Sequence, residues 1–99
     1  MSLNRPPSLM HYDRSGVIND GSEPQVLFER NARRVGMMFQ NQGTAPMTVV
    51  VKAGREGQGD SHWRVPVDAE WYYDQHGPIN EVQIIGVPGD KFAACEFGE

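Results

Sequence analysis

Turn-forming residues cut this chain into short pieces, at spacings of roughly ten residues. Ser15-Gly16, Asn19-Asp20-Gly21-Ser22, Asn31-Ala32, Asn41-Gln42-Gly43, the polar run from Gly54 to Asp60, Gln75-His76-Gly77-Pro78 and Pro88-Gly89 all carry turn chemistry. Gly and Pro occupy 11 and 7 of the 99 positions, which leaves little room for long helices. No segment shows a 3.6-residue apolar stripe. The pieces between the turns instead alternate. Val35, Met37 and Phe39 take turns with Arg34, Gly36 and Met38, as a half-buried strand requires. Met47 to Lys52 is rich in valine, which packs well on a pleated surface. The stretch from Arg33 to Gly54 therefore reads as a β-hairpin reversing at Asn41-Gln42-Gly43.

The other pieces extend the pattern. Gln25 to Arg30 reads as a short strand with Val26 and Phe28 on one side. Trp63, Val65 and Val67 share one face of a strand that Pro66 confines to an edge or bulge. Trp71-Tyr72-Tyr73, Glu81 to Val87 and Lys91 to Phe97 supply the rest, with a type II turn expected at Pro88-Gly89. The expectation is an all-β fold, a small antiparallel β-sandwich or barrel of about seven short strands. Immunoglobulin marks are incomplete, because Trp63 is present but a cysteine pair is not. Residues 1–22 read as an extended N-terminal arm, with Pro6-Pro7 blocking a helix and Leu9, Met10, Tyr12, Val17 and Ile18 apolar enough to pack somewhere. The arm either folds back or reaches a partner; residues 23–99 form the single domain.

Charge narrows the partners. The net charge is −4, which argues against nucleic acid, since phosphate binding needs clustered Lys and Arg. Residues 1–55 carry seven basic and four acidic side chains, and residues 56–99 two and nine. The split is a solvated surface, or a positive face that meets a negative face on a neighbouring copy. The lone Cys95 excludes an internal disulfide and reads as a structural thiol, with Glu96 beside it raising its pKa. No apolar run suits a signal peptide or a membrane span, so the expectation is a protein made in the cytoplasm and not secreted.

Catalytic patterns are sparse. The repeated Asp60-Ser61-His62 and Asp74-Gln75-His76 could offer oxygen and imidazole to one ion, but both lie at loop ends and read as surface polar residues. Asp68 and Glu70 are a chance carboxylate pair with nothing to place them about a cleft. The Gly54–Asp60 run lacks the phosphate-loop signature and a following helix. No G-x-S-x-G is present. Trp63, Trp71, Tyr72 and Tyr73 could form a stacking platform for sugar or bases, though core and interface packing are commoner uses. Arg30, Arg33 and Arg34 flank a turn and could reach a protein neighbour. The expectation is neither enzyme nor metal or cofactor binder.

One stretch carries family information. Asn31-Ala32-Arg33-Arg34-Val35-Gly36-Met37-Met38-Phe39-Gln40-Asn41-Gln42-Gly43, then Pro46 to Gly54, resembles small virion structural proteins of tailed bacteriophages. There an N-x-x-R turn leads into an apolar strand ending in Q-N-x-G, and a second β-rich strand ends in Gly. The resemblance covers residues 25–54, and the later strands only in outline. It implies a capsid decoration, or cement, protein on the outer head surface. The implied partners are the major capsid protein and further copies in a dimer or trimer, with neither nucleic acid nor membrane involved. Interface contacts would fall to Leu9, Met10, His11 and Tyr12 in the arm, and to exposed Arg33, Arg34 and Trp71. A tail or head–tail junction protein is the nearest alternative, and a carbohydrate-binding module the alternative of another class.

Overall fold

A computed structural model describes residues 10–20, 22–54, 58–73 and 78–98. They contain nine strands: β1 (Met10–Asp13), β2 (Gly16–Val17), β3 (Gln25–Phe28), β4 (Arg34–Asn41), β5 (Met47–Val51), β6 (Ser61–Val65), β7 (Glu70–Tyr73), β8 (Val82–Ile85) and β9 (Lys91–Gly98). The fold is an all-β sandwich of two antiparallel sheets. One runs β1-β9-β4-β7, with β2 also paired to β9, and the other runs β3-β8-β5-β6. The two strands beyond the expected seven are β1 and β2, in the segment read from sequence as an arm.

Inward side chains of both sheets make one core. Met37, Phe39, Phe92 and Ala94 from the first sheet meet Met47, Val49, Val82 and Ile84 from the second. Phe39 and Phe92 sit with ring centroids 5.8 Å apart. Burial of each such side chain contributes about 1.5–3 kcal/mol. Strand β6 lies at a sheet edge, as Pro66 dictates. The Pro88-Gly89 turn also forms as read: Asp90 N–H donates to Val87 O (3.1 Å), and Gly89 takes a φ of 88°.

Three readings are corrected. First, β4 and β5 are not a hairpin. They lie in different sheets, and the chain arches across the sandwich between them. Alternation cannot separate the two cases, since either puts one face of each strand into a core. What closes the arch is Asn41, wholly buried. Its side-chain amide donates to Ala45 O (2.8 Å) and Val65 O (3.0 Å) and accepts from Gly43 N–H (2.8 Å). Asp90 fastens the arch from below, accepting from Thr44 N–H and Thr44 Oγ (both 2.9 Å). Second, Val26 and Phe28 do not share a face. The β3–β8 register shifts between them, so Leu27 and Phe28 are both buried and Val26 is exposed. Third, Arg34 is buried, not exposed, because the β4–β9 register shifts between Arg34 and Gly36 and turns its side chain inward.

Residues 10–20 belong to the sandwich. Strand β1 pairs with β9 from Met10–Gly98 to Asp13–Cys95. Ile18 is only 2% exposed and lies in the core. Its N–H donates to Asp90 O (2.9 Å), and its carbonyl accepts from Gly89 N–H (2.8 Å). For residues 10–20, the folded-back course is the one taken.

Candidate docking face

Among the described residues, nothing covers the outer face of the first sheet, which is partly apolar. One row of partners crosses it, from Asp13 on β1 to Cys95 on β9, Met38 on β4 and Tyr72 on β7. The next row brings Ala93 and Glu70 to either side of Gln40. Small Ala93 and Cys95 form a floor between taller neighbours, and the hollow holds about 500 Å³. His11, Asp13, Gln40, Glu70 and Tyr72 also line it. Met38 is 46% and Tyr72 57% exposed, although both are large and apolar. Further along, the Phe97 ring lies over Gly36, where any Cβ would collide with it.

The thiol on this floor is not poised for nucleophilic attack. Burial pushes the Cys95 pKa up, and the Asp13 carboxylate beside it pushes further, while a hydrogen bond with the Met38 backbone pulls the other way. The opposing charge is thus Asp13, not Glu96 as chain neighbourhood suggested. Successive strand residues face opposite ways, and Glu96 points inward.

Glu96 is the centre of a buried polar cluster. It accepts from Arg34 Nε (3.1 Å), Asn31 Nδ2 (3.0 Å) and Arg14 Nε (2.9 Å). Burial alone would raise its pKa, but these hydrogen bonds and the Arg34 charge outweigh it and hold the carboxyl below its ordinary value. Arg34 spends its other donors on the carbonyls of Pro78 and Asn80 (both 2.8 Å) and Glu29 (2.6 Å). Its guanidinium also stacks 5.3 Å from the Phe28 ring centroid. All its directed contacts are internal, so this arginine ties the β3–β4 turn to β9.

The residues expected at an interface are thus dispersed. His11 lines the hollow, whereas the Trp71 side chain, opposite Phe39, is on the core side of its sheet. Trp71 is half-buried rather than exposed, packs on the core and meets Tyr73 edge to face at 5.4 Å. Met10 and Tyr12 project to the other side of β1, where the Arg14 guanidinium covers the Tyr12 ring at 5.7 Å. Arg33 is exposed on the turn before β4. Leu9 lies outside the described residues. Trp63 stands half-exposed on β6, in the other sheet from Trp71 and Tyr73. The residues missed were Met38 and Cys95, while Tyr72 was read only as part of a stacking platform. Their signal was an apolar residue at an outward position of an alternating strand, most plainly Met38.

Among the described residues, no three His, Cys, Asp or Glu side chains gather as a metal site. Asp60 is engaged by Lys52 Nζ (2.9 Å) and Ala53 N–H (2.8 Å), and Asp74 and His76 lie outside the described residues. Among the described residues, no helix is long and apolar enough to cross a membrane. No family model matches the chain, and neither the curated proteins nor the solved structures compared with it contain a match.

Proposed function

We propose that this chain is a non-enzymatic virion structural protein, a decoration or cement protein on the outer capsid surface of a tailed bacteriophage. It binds the major capsid protein and stabilises the head, as a homo-oligomer. The observation that supports this reading is the outer face of the first sheet, which none of the described residues covers. Exposed Met38 and Tyr72 flank a small-residue floor there, with Asp13 and Glu70 at the rim. Contiguous apolar surface of this kind marks a protein-interaction site. The sequence resemblance over residues 25–54 supplies the identity of the partner.

The test is cosedimentation of the full chain with purified heads, comparing the parent with Met38→Glu. Met38 is half-exposed, so the charge is tolerated in the free protein but desolvated on docking. Head binding should weaken by roughly tenfold or more, as for an interface anchor. Equal binding by Met38→Glu contradicts the use of this face. Copy number separates cement, spread over the head, from a junction protein present as one ring.

A further inference from the structure

Among the described residues the first sheet ends on β7, and that edge differs from the others. An edge strand presents unpaired N–H and C=O groups, and proteins blunt such edges with charged side chains, lysine above all, or with proline, bulges or extreme shortness; β7 has one charge, Glu70. Strand β6 exposes His62 and Arg64 and runs into Pro66. Strand β3 is bulged. The β1 side is broken into two short strands around Arg14. Strand β7, Glu70-Trp71-Tyr72-Tyr73, has no proline, basic residue or register shift. Among the described residues no cation pairs with Glu70.

The ladder fixes which groups of β7 point outward. Asn41 N–H donates to Ala69 O (3.1 Å), in line with the β4–β7 register. Bonded and non-bonded pairs alternate along an antiparallel ladder. Phe39–Trp71 and Met37–Tyr73 are therefore the bonded pairs, and the N–H and C=O of Glu70 and Tyr72 face away from β4.

We infer that β7 pairs with β7 of a second copy, antiparallel, about a two-fold axis through Trp71. This register sets Glu70 of each copy opposite Tyr72 of the other, so every outward backbone group of both residues finds a reciprocal partner. The Tyr72 ring lies beside a carboxylate, and no like charges stand opposite one another. On the core side, Trp71 meets its own symmetry mate and covers the half-buried aromatic pair with Tyr73. Such self-complementarity is what a two-fold interface demands. Tyr and Trp are also the residues enriched at interface centres. The two outer faces then form one continuous surface carrying a hollow from each copy.

The inference deepens the homo-oligomer part of the reading above and rests on that part alone. It requires no capsid.

Sedimentation equilibrium of the full chain tests it, beside Tyr72→Pro and Tyr72→Lys. The Tyr72 N–H points away from β4, so proline there removes a donor to the second copy and none within the fold. Tyr72→Lys, at an exposed position, keeps the test alive should proline disturb folding. The parent should dimerise reversibly, and both variants should weaken the dimer by roughly tenfold or more, with far-UV circular dichroism unchanged. For the register, Glu70→Cys and Tyr72→Cys chains are made in a Cys95→Ser background, mixed and oxidised. The mixture should give a disulfide-linked heterodimer that neither chain gives alone. A parent that stays monomeric at every soluble concentration overturns the inference, as do variants that dimerise like the parent. Equal cross-linking of Tyr72→Cys with itself overturns the register. Because no capsid is present, a monomeric result leaves head binding standing.

Discussion

Glu96 is the residue on which most of the buried polarity depends. Its carboxylate joins Arg34, Asn31 and Arg14, so it links the β3–β4 turn and the N-terminal segment to β9. Removing one member of a buried ion pair strands the other, at about 3–5 kcal/mol. Glu96→Gln should therefore destabilise by about that amount, read from urea unfolding. Replacing Arg34 and Glu96 together by apolar residues should destabilise by less than the two single changes summed. The pH dependence follows from the depressed folded-state pKa. The group's contribution is fully present above the ordinary glutamate range and is lost as pH falls through the lowered value. Acid titration should thus narrow the stability gap between parent and Glu96→Gln. A gap that widens below pH ~4 contradicts the cluster's role. None of this was legible in the sequence. Arg34 sits in an alternating run that reads as outward, and only the register shift before Gly36 turns it inward.

Among the strands, the sequence was informative about existence and poor about pairing. The edge position of β6 was readable because Pro66 cannot donate to a ladder. The inward face of β4 was readable from its alternation, whereas the valine run of β5 does not alternate. The β4–β5 arch was not, because its closing device is a side chain, Asn41, whose partners Ala45 and Val65 are unremarkable in sequence. Packing between β4 and β9 supplies a sharper check. A Cβ at Gly36 would meet both the Phe97 ring and the Tyr73 carbonyl oxygen, so Gly36→Ala should destabilise by about 1–3 kcal/mol. Trimming the ring in Gly36→Ala with Phe97→Leu should recover only the ring's part of that loss. Thermal unfolding of the two variants decides it; an innocuous Gly36→Ala contradicts the close approach of β7 and the Phe97 ring to Gly36.

For the whole molecule, residues 10–20 carry structural weight. Residues 10–20 contribute two strands, a core isoleucine and the Arg14–Glu96 bridge. Loss of a buried Ile alone is worth about 2–5 kcal/mol, against a total domain stability of about 5–15 kcal/mol. A chain lacking residues 1–20 should therefore fail to fold cooperatively. A circular dichroism melt checks this, and a well-folded 21–99 fragment contradicts the placement of Ile18 and β1. The segment's apolar residues divide: Ile18 enters the core, while Met10 and Val17 stay exposed. The candidate docking face was not read from the sequence, because the meeting of Met38 with Tyr72 and Cys95 depends on strand order.

The central proposal, that the chain is a capsid decoration protein, is most directly tested by locating its gene in a tailed-phage genome and applying quantitative mass spectrometry to that phage's purified particles. The account predicts the chain in many copies per particle, in fixed proportion to the major capsid protein, and on heads that lack tails. Its absence from purified particles, or its presence as a single ring that stays with the tail, would contradict the account.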